Sequence, residues 1–168
     1  MTRKISSNHG VTLIELMILS VIVGIVSAMA VPRFQIAMER MKIKAASRNV
    51  NSTFRLARSH AVSDKAQYGV YIGTEDMTIT LFKDLANPES QVFEASDSVV
   101  VCDTLPAEFT WMGSDCEDNV VVFKPNGSAG FTGGGNIYLM ASTEKVVAIS
   151  WENILASTGR VSSNTYIY

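Results

Sequence analysis

Hydrophobic positions follow three different rules along this chain. From Val11 to Val31 they are continuous: 21 residues hold a single charge, Glu15. At about 1.5 Å per residue a helix of that length reaches roughly 32 Å, enough to cross a bilayer core. From Arg33 to about Ser63 apolar residues recur every three or four positions, which predicts an amphipathic helix. One row is Phe34, Met38, Met41 and Ala45; a second is Ile43, Ala46, Val50, Phe54, Ala57 and Ala61. Neither Gly nor Pro interrupts 33–65, so a single helix of about 50 residues from near Val11 is the simplest expectation.

Beyond residue 66 the pattern changes to short β-branched and aromatic runs between turn formers. The expected strands are Tyr68–Ile72, Met77–Phe82, Gln91–Glu94, Ser98–Cys102, Glu108–Met112, Val120–Phe123, Ile137–Met140, Val146–Trp151 and Thr165–Tyr168. Turns are expected at Gly73–Asp76, Asn87–Ser90, Pro125–Gly127 and Gly133–Asn136. Strands spaced this closely predict an antiparallel sheet or small sandwich. Phe82, Val100, Trp111, Phe123, Tyr138, Leu139 and Trp151 are its candidate core. The fold class is α+β, with one long helix and one β-rich head.

Composition changes the picture in two places. The chain is close to neutral, at −2, but its charge is segregated. Residues 33–65 hold eight basic and two acidic residues (+6), whereas 66–168 hold four basic and thirteen acidic ones (−9). The basic helix reads as the solvated back of an element that also neutralises an acidic head. The second place is Glu15. An acid inside a membrane helix costs about 2.5–3.5 kcal/mol on insertion scales, so it usually has a partner and a task.

An ordinary secretory signal has a shorter apolar run, with its small exit residue after that run. Here Arg3 and Lys4 precede the run and the small residue Gly10 lies before it. Gly10 at the cut, TLIEL at Thr12–Leu16, Gly24 within the run and Pro32 closing it resemble the type IV prepilin leader; Val11 stands where that family usually has Phe. The resemblance implies a leader at 1–10, a membrane and filament-core helix at 11–32, an amphipathic continuation at 33–65 and a periplasmic head at 66–168. A prepilin peptidase would cut between Gly10 and Val11 and methylate Val11. Glu15 would then meet the positive N-terminus of a neighbouring subunit in a dry filament core. Gly24 and Pro32 are expected to loosen or break the helix. Arg33, Arg40, Lys42 and Lys44 outnumber Arg3 and Lys4, so the positive-inside rule alone favours the opposite orientation. The leader pattern is the more specific signal.

The run Val120–Met140, followed by Val146–Ser162, is similar to the GspH/FimT family of minor pilins and pseudopilins, through Phe123, Pro125, Gly127 and Gly159–Arg160. FimT-type pilins end in Gly-Arg-x-Arg and use those arginines on DNA phosphates. Here Gly159–Arg160–Val161–Ser162 lacks the second arginine, and phosphate binding depends on summed positive charge. DNA contact at Arg160 is therefore disfavoured, and Arg160 is expected to satisfy local carbonyls or an acid.

Other chemistry is sparse. His9 and His60 are the two histidines, and His9 would leave with the leader. Gly133–Gly135 lacks the Lys-Ser/Thr ending of a phosphate loop. No cofactor and no metal are expected. Asp115, Glu117 and Asp118 crowd together but do not have EF-hand spacing, so a calcium there is a minor alternative. In an exported domain the default for Cys102 and Cys116 is one disulfide, constraining the unfolded chain by about 3 kcal/mol. The expected function is binding without turnover: a minor pseudopilin of type II secretion, anchored by one pass in the bacterial inner membrane. Its partners would be the prepilin peptidase, other pseudopilins and exported cargo. The alternative is a FimT-like minor pilin of a type IV pilus, in assembly or DNA uptake.

Overall fold

The computed structural model describes residues 10–85, 91–130, 133–143 and 146–168. Residues 1–9, with Arg3, Lys4 and His9, and the turn expected at Asn87–Ser90 lie outside that set. One helix, α1 (Leu13–Asp64), is followed by β1 (Tyr68–Gly73), β2 (Thr78–Lys83), β3 (Ser98–Thr104), β4 (Phe109–Cys116), β5 (Val120–Phe123), β6 (Ala129–Gly130), β7 (Gly133–Ser142), β8 (Val147–Leu155) and β9 (Arg160–Ile167). The chain divides into two compact units, Met1–Met38 and Glu39–Tyr168.

In the first unit every residue from Val11 to Gln35 is exposed, including Leu13, Ile14, Val23 and Met29. Its helix is long and apolar enough to cross a membrane by length and composition, with a mean hydropathy of 2.5 over the best window. The helical assignment continues through Gly24 and Pro32, so the expected break is absent. A proline removes one backbone donor from the ladder, and the turns on either side carry the helix across it.

In the second unit, a long helix packs on antiparallel sheets. Its buried residues are Ile43, Ala46, Ser47, Val50, Asn51, Thr53, Phe54, Ala57 and Ala61. These contain the whole second row read from the sequence, and three of its members are alanines, which let sheet and helix backbones approach closely. The first row is not buried: Met41 is 64 % exposed and Ala45 is also exposed. The helix ends at Asp64, where Lys65 takes φ 51°, the left-handed conformation that commonly terminates helices.

One sheet has the order β3-β2-β1-β5-β6 and the other β4-β7-β8-β9, with every pairing antiparallel. All four residues of β5 are buried, as a continuous apolar run predicts for a strand covered on both faces. Phe82, Val120 and Val122 form a cluster completed by Tyr71 and Phe93. The Phe93 ring lies 5.2 Å from Tyr71 and 4.9 Å from Phe82. Gly69 faces Phe82 across the β1–β2 ladder, where a Cβ would come within 2.2 Å of the phenyl ring. The glycine makes room for that ring.

Several sequence expectations need correction. Gln91–Glu94 is a loop, not a strand. Asp97 takes up its local donors: its carboxylate accepts from the Glu94 and Leu85 amides at 2.9 and 3.1 Å, and Gln91 has φ 55°. Such Asx-type bonding competes with strand pairing. Gly133–Asn136 is the start of β7 instead of a turn, because β4 and β8 flank that strand and supply its ladder bonds. Val100 is 45 % exposed: the β2–β3 register shifts between Leu81 and Phe82, which pair with Val101 and Val99, and Val100 bulges out between them. Trp111 is 51 % exposed on the edge strand β4, its indole lying over Gly113. Phe82, Phe123 and Leu139 are fully buried as expected, and Tyr138 is half-buried. The side chain of Trp151 lies outside the described residues.

Phe54 has no exposed surface and sits mid-row on α1. Phe54→Ala is expected to lower head stability by about 3–5 kcal/mol in chemical denaturation. Met41→Ala, on the exposed row, should change it by less than about 0.5 kcal/mol.

Candidate functional site

Two places carry unusual chemistry, one in each unit. In the first, α1 opens with Thr12 as its cap: the Glu15 amide donates to Thr12 Oγ1 at 3.3 Å, and the Leu16 amide to the Thr12 carbonyl at 3.3 Å. Glu15 thus stands in the first helical turn, where the helix dipole favours an acid. This is the backbone half of a capping box, and its signature, Thr-x-x-Glu at Thr12–Glu15, was open to view in the sequence. Gly10 and Val11 are exposed just ahead of it.

In the second unit, residues distant in sequence converge at one end of β5. After Phe123 the chain turns through Pro125–Gly127, with Gly127 at φ 82°; its amide donates to the Lys124 carbonyl at 2.8 Å. The β8–β9 hairpin turns at Ala156–Gly159, with Gly159 at φ 61° and its amide donating to Leu155 at 2.7 Å. A Cβ on Gly159 would stand 2.2 Å from the Gly127 carbonyl oxygen, so the two turns touch only because that side chain is missing. From α1, Arg58 Nε donates to the same Gly127 oxygen at 3.0 Å. The Ala129 amide donates to Ala156 at 2.8 Å and ties β6 to the hairpin.

Pro125, Gly127, Gly159 and Arg160 are therefore one structural feature. Arg160 does not satisfy a carbonyl there, as the sequence had suggested; Arg58 does. Arg160 is exposed and, among the described residues, its side chain has no partner. It lines a groove of about 690 Å³ with Arg55, Arg58, Ser59, Val62 and Ser63. The groove holds three guanidinium groups and no carboxylate. Sequence reasoning saw Arg160 alone. The spacing of Arg55 and Arg58, three apart and thus on one helix face, was the missed signal.

Beside the groove lies a second residue the sequence did not flag. Glu152 is fully buried on β8, accepting from Asn51 Nδ2 of α1 at 2.8 Å and from Ser163 Oγ of β9 at 2.8 Å. Burial pushes its carboxyl above the ordinary carboxylate range; bonds from Asn51 and Ser163, the nearby Arg55 charge and Ser150 oppose that push in part. Basic helix and acidic head also meet at Lys42–Glu108, 3.1 Å apart; the Glu108 carboxyl is held low chiefly by its own backbone bond and then by Lys42.

The remaining candidates separate. No disulfide joins Cys102 and Cys116. Cys102 lies on β3 in one sheet, where Thr80 Oγ1 donates to its sulfur at 3.4 Å; Cys116 ends β4 in the other, with burial raising its thiol pKa. Asp115 accepts from Asn136 Nδ2 at 3.1 Å and Tyr138 Oη at 2.8 Å, and forms no metal-ligand group with Glu117 and Asp118 among the described residues. His60 stacks on Tyr68 at 5.3 Å, and the Tyr68 hydroxyl donates to Asp64, lowering that carboxyl.

Because the folded-state pKa of Glu152 is raised, the stability tied to its protonated form is full below the ordinary carboxylate value. It is lost as pH climbs through the raised one. Glu152→Gln should therefore melt higher than wild type at about pH 7 and converge with it near pH 4, as thermal unfolding of the full chain in detergent would show. Compared with protein-family models, curated proteins and solved structures, the chain matches none.

Proposed function

We propose that the chain is a pilin-like filament subunit, specifically a minor pseudopilin of type II secretion, held by one apolar helix in the inner membrane before it enters the filament. The observation that carries this reading is the uncovered stretch of α1 from Leu13 to Gln35, with Glu15 in its first turn. A helix with apolar residues on every side is stable only in lipid or among other apolar helices. Dipole and cap together give the helix start about 1 kcal/mol, whereas an unpaired carboxylate among packed apolar helices costs several kcal/mol. Local structure alone does not offset that cost once the helix is packed. A neighbouring subunit's ammonium group, exposed by cleavage after Gly10, would offset it and would fix the axial register of packed helices.

A second reading, a minor pilin of a type IV pilus, shares the helix and the head. The observation in its favour is the cluster of Arg55, Arg58 and Arg160 beside the Gly159 turn.

Mass spectrometry of the chain isolated from a peptidase-positive bacterium is expected to find Val11 as a methylated first residue, and Gly10→Val should leave 1–10 attached. An intact leader on wild-type protein would end the filament-subunit reading. Glu15→Ala is expected to stay in the membrane fraction after alkaline extraction but to drop out of purified filaments. Loss of one member of a buried ion pair costs about 3–5 kcal/mol, so recovery should fall by a factor of a hundred or more, roughly. Equal recovery of the variant would remove the pairing.

A further inference from the structure

The head is electrically polar along β5. At the Phe123 end stand the turn at Pro125–Gly127 and the groove of Arg55, Arg58 and Arg160. At the Val120 end stands a 3-10 turn, Glu117–Asn119, with Asp118 and Asn119 at φ 53° and 54°. Four residues of strand separate the two ends by about 13 Å. Glu117 and Asp118 are exposed and, among the described residues, neither makes a side-chain hydrogen bond or ion pair. Arg160 is in the same condition. One head thus presents uncompensated acids at one end of a strand and an uncompensated base at the other.

We propose that the arginine groove is a docking site for the Glu117–Asp118 turn of a second copy of this chain. Two guanidinium forks and the Ser59 and Ser63 hydroxyls suit carboxylates, which accept bidentate bonds from arginine. The floor, with Val62 and Val161, suits the carbon stem of a glutamate. A nucleic acid fits less well, because the −9 of residues 66–168 repels a long polyanion whereas a two-acid turn feels mainly the arginines nearest it. Charge complementarity within one sequence makes the second copy the committed occupant. The contact is heterologous: it uses different surfaces on the two partners, so each head keeps one free acidic and one free basic end, and heads add in a row. The inference stands on the head alone and does not rest on the filament reading.

The test uses the full chain in a neutral detergent, with association followed by sedimentation in a density-matched buffer. Wild type is expected to associate at low salt and dissociate at high salt. Arg160→Glu and the double variant Glu117→Lys/Asp118→Lys should each weaken association by about tenfold or more. An equimolar mixture of these two variants should regain association as pairs, since the unaltered arginine groove of the lysine variant meets the unaltered acidic turn of the Arg160→Glu variant. Misfolded variants would not rescue each other, so rescue reports the contact itself. A mixture as dissociated as either variant alone, or association indifferent to salt, overturns the proposal. So does salt-sensitive retardation of duplex DNA by wild type that Arg160→Glu abolishes, which would give the groove to nucleic acid. Glu15→Ala should leave head association unchanged, so failure here and failure of the Glu15 pairing are read separately.

Discussion

One helix has to satisfy two different solvents, and the rest of the molecule follows from how it does so. Over Val11–Gln35 the sequence has no polar face and the structure gives it no protein cover. Over Ile43–Ala61 a narrow stripe of small and β-branched residues, with Phe54 at its centre, is removed from water. The stripe is narrow because basic residues flank it and reach the head from its edges. Arg55 supports buried Glu152, Lys42 pairs with Glu108, and Arg58 holds the Gly127 turn. A helix buried more widely would have lost the basic back that neutralises an acidic head.

Glu152 shows what that arrangement implies inside the head. A carboxylate with no exposed surface is tolerated because three groups from two elements converge on it: Asn51 and the charge of Arg55 from α1, and Ser163 from β9. These groups fix where the helix sits along β8 more sharply than Val50 or Ala57 can, since apolar contacts are non-directional and hydrogen bonds are not. The single buried acid acts as a register pin between helix and sheet.

Much of this was legible beforehand, and the failures have physical causes. The buried row of α1 was read residue by residue, because a 3.6-residue period imposes itself over five turns. The membrane-length run and the Val120–Phe123 strand needed only composition. The companion row of Phe34, Met38, Met41 and Ala45 misled, since apolar spacing shows that a face prefers to be covered and does not say by what. Gln91–Glu94 failed because Asp97, distant by only a few residues, satisfied the local backbone more cheaply than a neighbouring strand. The glycines at Gly133–Gly135 looked like a turn, yet they open a ten-residue strand in which Gly133 pairs with Cys116 of β4 and β8 joins from Asn136 on. At the groove, sequence gave Gly159 and Arg160 as neighbours, but Arg55 and Arg58 arrive from a helix a hundred residues earlier. Nothing local announces such a meeting. Cys102 and Cys116 were close in sequence and oppositely placed in space, because consecutive strands β3 and β4 belong to different sheets.

The bulge at Val100 has a practical corollary. Among the described residues β3 pairs only with β2, and from Ser98 to Cys102 it has no charged residue, no proline and two well-exposed valines. Natural edges are commonly guarded by charged residues or proline, and here the kink and Asp103 share that role. Smoothing that kink, by deleting one residue from the strand, would leave a flatter open edge of the kind that pairs with other chains. The irregularity that looks like a defect in the ladder is what bends the open edge away from a flat pairing surface.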